Sequence, residues 1–223
     1  MQYLYNTNAK DAILEIDGED YRHLFRARRT KLGAILELRN LEDSKIYSYK
    51  VISIDKKKAT LELIFSETLE LKPKKELTIG WCIIEPKNIE KVLPTLNEIG
   101  VSKIVFIKCA YSQSSYKIKK DKLLKILINS SQQCGRSDIM QIDFANSIFD
   151  FLATYKDSYL LNFSNNLLDG KKDNISSIVI GCEGGLSKDE VALFEIDKIV
   201  GFNTPLILQS QSAAVAAASK ILL

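Results

Sequence analysis

Residues 178–190, IVIGCEGGLSKDE, decide how this chain reads. The apolar run Ile178–Ile180 closes a predicted buried strand over 177–181, which feeds directly into Gly181-Cys182-Glu183-Gly184-Gly185. Three glycines in five residues let a backbone turn tightly and approach a ligand closely. Ser187 and Glu190 then have capping-box spacing, which opens a predicted helix over 188–195. In open α/β sheets, ligands bind beyond the carboxyl ends of parallel strands, where this turn would lie. The pattern is neither G-x-G-x-x-G nor G-x-x-x-x-G-K-[ST], so neither a dinucleotide nor a nucleoside triphosphate is indicated. On these residues alone the turn reads either as a ligand site or as a purely structural turn.

Working outward, segments 77–84, 103–110, 158–163 and 198–202 also read as strands. They alternate with predicted helices over 86–99, 120–133 and 210–223. Pro86 suits a first helical turn, Pro94 predicts a kink, and Gly100 is the stop signal. This alternation predicts an α/β domain over 76–223, with a parallel sheet and helices on both faces. Two more stretches, Leu160–Asn166 and Gly201–Gln211, then fall at strand ends beside the glycine turn. The first 70 residues differ. Short strands over 12–16, 34–40, 45–54 and 59–65, with one helix near 19–28, predict a small β-barrel over 1–70. The charged ELKPKKE, 70–76, marks the boundary.

Composition excludes several classes. The chain has 223 residues and a single histidine, His23, which rules out a zinc hydrolase built on several imidazoles. Cys82, Cys109, Cys134 and Cys182 form no C-x-x-C pair and read as small buried hydrophobes, so no metal is expected. No apolar run is long enough to span a bilayer and the N-terminus does not read as a signal peptide, so a cytoplasmic protein without membrane contact is expected. The formal net charge of +3 says little, but its distribution is uneven. Five carboxylates before residue 21 give way to Arg22, Arg26, Arg28, Arg29 and Lys31 with no acid between them. With Tyr21 and Phe25 interleaved, this stretch favours nucleic acid over a solvated face. The lysine cluster over 117–125 reads instead as a solvated helix face.

The segment IGCEGGLSKDE resembles the I-G-P-E-G-G-[FL]-S-x-x-E motif of the 16S rRNA uracil-N3 methyltransferases, in the SPOUT class of knotted methyltransferases. Other blocks match in family order. HLFRARR, from His23 to Arg29, resembles the early H-x-x-R-V-x-R pattern, and Glu98-Ile99-Gly100-Val101 the E-L-G-V helix ending. Gln132 to Arg136 resembles E-Q-x-x-R, and Leu208 to Ala213 the terminal L-R-x-E-T-A.

The resemblance implies an N-terminal PUA-like β-barrel for RNA and a SPOUT α/β domain with a trefoil knot. It implies a homodimer that binds S-adenosylmethionine and methylates uridine N3 in 16S rRNA of the small ribosomal subunit. By the same resemblance Leu160, Leu161 and Asn162 wall the cofactor, with Ile180, Gly181, Glu183, Gly184 and Gly185 in a second loop. Gly201, Leu206, Leu208 and Ser210 supply a third. His23, Arg26, Arg28 and Arg29 would hold RNA. Arg136, Gln209 and Gln211 would occupy catalytic positions, with Arg136 stabilising an anion or phosphate.

Four residues depart from the family pattern. Cys182 replaces the motif proline and Gln132 a glutamate; Gln209 and Gln211 replace the terminal arginine and glutamate. The last two exchange a cation and a carboxylate for amides, which hydrogen-bond but do not ionise. The alternatives are therefore a non-catalytic RNA-binding relative that keeps the fold, or a SPOUT methyltransferase with a different RNA target.

Overall fold

The computed structural model describes residues 2–223; Met1, the first residue of the expected RNA-binding domain, lies outside them. The chain forms two compact units. One runs to Lys72 and includes Ser131–Ile139; the other comprises Pro73–Ser130 and Met140–Leu223.

The first unit contains β1 (Leu4–Tyr5), β2 (Ile13–Ile16), α1 (Gly18–Tyr21), β3 (Ile35–Arg39), β4 (Lys45–Ile54) and β5 (Ala59–Thr68). Their order in the sheet is β1-β3-β4-β5-β2, antiparallel except for β1 with β3. Alternation buries Tyr47, Tyr49 and Val51 of β4 on one face, where they join Leu14, Ile16, Leu38 and Leu61. Two register shifts between β4 and β5 are of the kind that bends a sheet over such a core. Residues Arg22–Ala27 continue α1 as a π-helical segment and add Leu24 and Phe25 to the core. Arg39 is fully buried; its guanidinium donates to the carbonyls of Ser44, Lys45 and Leu69 and lies 5.4 Å from the Tyr3 ring centre. Segment 131–139 belongs to this unit through backbone and side-chain bonds: Gln2 N donates to Gln132 O at 2.7 Å, and the Tyr3 hydroxyl to Arg136 O at 2.7 Å.

The second unit contains β6 (Thr78–Cys82), α2 (Pro86–Ile99), β7 (Lys103–Ile107), most of α3 (Lys120–Cys134), β8 (Gln141–Ala145), α4 (Ile148–Thr154), β9 (Tyr159–Leu161), β10 (Ser177–Ile180), α5 (Lys188–Val191), β11 (Ile199–Val200) and α6 (Ser210–Leu222). All six strands are parallel, in the order β11-β9-β10-β6-β7-β8. Every residue of β10 is buried, as a central parallel strand requires. Gly100 ends α2 at φ 110°, and the helix runs on through Pro94, whose carbonyl accepts from Ser130 Oγ.

Several expectations need correction. The helix expected over 188–195 stops at Val191. Its capping box forms, but Leu193 faces solvent and only Phe194 is buried, so no apolar stripe holds further turns. The strand expected over 198–202 shrinks to β11, while those over 103–110 and 158–163 end early because their last residues turn into loops. β8 and α4 have no counterpart in the predicted elements: β8 buries only Ile142, so it carries no apolar run, and α4 has only seven residues. Cys134 is exposed rather than buried. The lysines over 117–125 are exposed; Lys120, Lys122 and Lys125 lie on α3, whose Leu123 and Leu127 are buried, whereas Lys117 and Lys119 precede the helix.

Candidate functional site

A cleft of about 1220 Å³ opens at the carboxyl ends of β9, β10 and β11. Three loops wall it: 161–167, 180–185 and 201–210. Each follows directly from a short parallel strand, so the sheet fixes where the loops start.

The first and third loops are stitched through the backbone. Asn162 N donates to Val200 O, Gly201 N to Asn166 O and Leu168 N to Gly201 O, each at 2.9 Å. The Ser164 hydroxyl and the Asn166 amide both donate to Ile199 O at 3.1 Å. A Cβ on Gly201 would collide with the Ser164 carbonyl oxygen and lie 2.9 Å from the Ser164 nitrogen. Only glycine permits that approach. The second loop closes on itself, with Gly185 at φ 74° and its N–H donating to Cys182 O at 2.9 Å. Ser210 ties the third loop to the second by donating to Gly181 O at 2.5 Å and accepting from Trp81 Nε1 at 2.9 Å.

A fourth segment, Cys109–Ser112, supports the glycine turn from behind. Glu190 accepts from Ala110 N at 2.8 Å with one carboxylate oxygen and from Ser187 N at 2.9 Å with the other. A Cβ on Gly184 would stand 3.1 Å from the Tyr111 Cβ.

Electrostatically the cleft is simple. Among its lining residues Glu183 is the single Asp, Glu, Lys or Arg side chain. Backbone amides, carbonyls and the polar side chains of Asn162, Ser164, Asn165, Asn203, Thr204 and Gln209 supply the remaining hydrogen bonding. Apolar walls come from Leu161, Phe202, Leu206 and Ile207. Such a site suits a flat, polar-edged ligand of net positive charge.

Most of the residues expected to bind cofactor meet here. Leu161, Asn162, Ile180, Gly181, Glu183, Gly184, Gly185, Gly201, Leu206, Leu208 and Ser210 all line the cleft. Leu160 is fully buried inside β9 and does not. Of the three positions expected to be catalytic, Gln209 lines the cleft, and Gln211 Nε2 donates to Gln209 Oε1 at 2.6 Å. The Gln211 Oε1 atom is itself buried without a hydrogen-bond partner. Arg136 belongs to the first unit, where it is buried and forked onto Asp138 at 2.7 and 3.2 Å.

The basic stretch of the first unit is open to solvent. Arg22, His23, Arg26, Arg28 and Arg29 are all exposed. Arg26 donates to Lys56 O at 2.8 Å and lies over the Tyr21 ring, whereas Arg29 holds a left-handed φ of 56°. That conformation is rare for a residue with a Cβ and turns the chain sharply after the π-helical segment.

Within the stretches Leu160–Asn166 and Gly201–Gln211 the sequence does not single out Phe163 to Asn165 or Phe202 to Pro205, and it leaves out the anchor Trp81 altogether. The lone tryptophan carried a usable signal, because a buried indole N–H needs an acceptor.

Known proteins resemble this chain along its length. An RNA methyltransferase domain model matches residues 71–222, and an RNA methyltransferase PUA domain model matches 16–64. Ribosomal RNA small subunit methyltransferase E of Helicobacter pylori is 38% identical over 98% of both chains. The fold matches that of a Legionella pneumophila protein solved in complex with S-adenosylmethionine, at TM-score 0.79 and 23% identity over 98% of this chain and 95% of that one. It also matches ribosomal RNA small subunit methyltransferase E of Neisseria gonorrhoeae bound to S-adenosylmethionine, at TM-score 0.75 and 17% identity over 98% and 95%.

Proposed function

The chain belongs to the RNA methyltransferase family that includes ribosomal RNA small subunit methyltransferase E, and from that premise we propose that it transfers the methyl group of S-adenosylmethionine to uridine N3 in 16S rRNA. The observation that carries this reading is the convergence of three strand-end loops on a cleft whose single Asp, Glu, Lys or Arg side chain is Glu183. S-adenosylmethionine carries a sulfonium and an ammonium against one carboxylate, so its net positive charge complements Glu183. The loop backbones supply donors and acceptors for the adenine edge and the ribose.

Uracil N3 holds a proton and is a poor nucleophile until that proton leaves. Because N3 lies on the pairing edge, the base must be unpaired or turned out before it can meet the methyl. Gln209 and its partner Gln211 can hold the uracil carbonyls and position N3 in line with the sulfonium, which is a large proximity effect. Being amides, they take no proton, so deprotonation falls to a group other than these two. Arg136, held by Asp138, enters this reading through the fold of the first unit.

The same reading includes a closed PUA-like barrel in the first unit and a trefoil knot in the second. The close passage of Gly201 past Ser164, followed by the return of Ser210 to Gly181 and Trp81, supports the knot. It also includes a homodimer. Phe163, Leu206 and Ile207 of the cleft loops are between 72% and 80% exposed, an apolar surface that a second copy would cover. A substrate inside small ribosomal subunits supports a cytoplasmic location. Among the described residues no helix is long and apolar enough to cross a membrane, and no group of His, Cys, Asp and Glu side chains is placed to hold a metal ion.

The test is methyl transfer from labelled S-adenosylmethionine to unmodified small subunits, followed by digestion to nucleosides and mass spectrometry. Appearance of 3-methyluridine is the expected result. A different methylated nucleoside would transfer the reading to another RNA position. No methylation by protein that still binds cofactor would leave an RNA-binding relative, and Gln209→Arg with Gln211→Glu would then be expected to restore turnover.

A further inference from the structure

Cys82 ends β6, Cys109 follows β7 and Cys182 follows β10, three neighbouring strands of the sheet. Their thiols meet beneath the glycine turn. Cys109 Sγ lies 3.6 Å from Cys182 Sγ, and the buried Cys82 thiol adjoins Cys109. Cys182 lines the cleft, and its thiol donates to Gly185 O at 3.4 Å. Cys109 Sγ also contacts Ser112 Oγ at 3.1 Å. With the Cys182 proton turned from Gly185 O toward Cys109, the Cys182 and Cys82 thiols, opposed by burial and helped by Ser112 and the Tyr111 amide, hold the Cys109 thiol below its ordinary pKa. Braced by Ser112 and next to two other thiols, Cys109 is the nucleophile of the group.

We propose that Cys109 and Cys182 are a peroxide-responsive thiol pair whose disulfide closes the cleft to its cofactor. The Cys109 thiolate attacks one oxygen of hydrogen peroxide, breaking the O–O bond and forming a sulfenic acid; the displaced hydroxide takes up the thiol's proton as water. Cys182 sulfur then attacks the Cys109 sulfur, its proton leaves with the departing hydroxyl as a second water, and the disulfide forms. Two thiols and one peroxide yield one disulfide and two waters. A disulfide bond is about 2.05 Å long, so the sulfurs must close by about 1.5 Å. Cys109 is braced by Ser112, which itself donates to Ile83 O, whereas Cys182 sits in a turn with three glycines. The turn is therefore the part that moves, and it carries Gly181, Glu183 and Gly184 away from the cofactor's place. Cysteine stands at the position where the family motif has proline, a residue that offers no such chemistry.

Cofactor and disulfide then oppose each other: the disulfide weakens binding, and bound cofactor holds the turn away from Cys109 and slows formation of the bond. This coupling rests on the cofactor reading above, whereas formation of the bond does not. The experiment uses the full chain carrying Cys134→Ser, which removes the exposed thiol. The protein is treated with hydrogen peroxide with and without saturating S-adenosylmethionine, alkylated, digested and mapped by mass spectrometry. Titration calorimetry follows S-adenosylmethionine binding before oxidation, after it, and after dithiothreitol. The expected results are a peptide linking Cys109 to Cys182, an at least tenfold loss of affinity restored by dithiothreitol, and at least fivefold slower linkage with cofactor present. Cys109→Ser and Cys109→Ala in the same background should keep their affinity after peroxide. Thiols that stay alkylatable, or a linked peptide with unchanged affinity, would overturn the proposal. If the reduced protein binds no cofactor, the cofactor reading fails, and the peptide map alone still decides whether the bond forms.

Discussion

Trp81 Nε1 donates to Ser210 Oγ at 2.9 Å across 129 residues of sequence, and both side chains are buried. The same hydroxyl donates to Gly181 O, so one oxygen joins the central strand β6, the glycine turn and the start of α6. Ser210→Ala would leave a buried indole N–H and a half-buried carbonyl without this partner, at a cost of about 1–3 kcal/mol. A lower melting temperature and weaker S-adenosylmethionine binding are expected together. Scanning calorimetry and binding titration check this, and a variant as stable and as tight as the parent would show that the relay holds nothing.

Gly201 is a sharper case. Its missing side chain is what allows the third loop to lie against the backbone of Ser164 and Asn162. Because the obstacle is main chain rather than a flexible side-chain end, Gly201→Ala forces the two loops apart instead of repacking locally. Cofactor affinity is expected to drop by more than tenfold, while the first unit keeps its fold. Gly170→Ala, where a Cβ meets nothing within 4 Å, is the matched control and is expected to bind normally.

Arg28 and Arg29 are exposed at the end of the π-helical segment, whereas Arg26 is engaged by Lys56 O and Tyr21. If the first two contact phosphates, Arg28→Ala with Arg29→Ala removes two counterion-releasing contacts. The slope of log affinity against log salt for single-stranded rRNA would then fall by about 1.4 in magnitude, from roughly 0.7 per phosphate. Cofactor affinity should not change. Filter binding across a salt series measures the slope, and an unaltered slope would move the RNA surface away from these two residues.

How far the sequence could be read follows from the kind of signal each feature leaves. The Ile178–Glu190 segment is legible because strand, glycine turn and capping box are local patterns, and all three form as read except for the length of the helix. The pairing of Ser210 with Trp81 is not legible, since two residues 129 apart leave no periodic trace. The cysteines show the limit most clearly. Spacings of 27, 25 and 48 residues look like nothing in one dimension. Yet parallel strands of a single sheet deliver three of those residues to one end of it. The grouping of 131–139 with the first unit is hidden for the same reason: bonds from Gln2, Tyr3 and Leu71 to that segment connect distant parts of the chain.

Asp43 links stability to pH in the first unit. Burial disfavours its carboxylate, but hydrogen bonds from the Asn40 amide, the Lys45 N–H and the Tyr47 hydroxyl outweigh that and lower its pKa below the ordinary 3.8. A group whose folded pKa is depressed adds stability above its unfolded pKa and loses it as pH falls through the folded one. This contribution is therefore complete at neutral pH, begins to fade near pH 4 and is gone below the lowered pKa. In Asp43→Asn the amide keeps the acceptor oxygen but has no charge to lose. The variant is expected to melt lower than the parent at pH 7, and the gap should shrink steadily between pH 4 and pH 2.5. Thermal melts across that range decide it: a gap that stays constant with pH would mean that Asp43 stabilises the β3–β4 turn through shape alone, not through its charge.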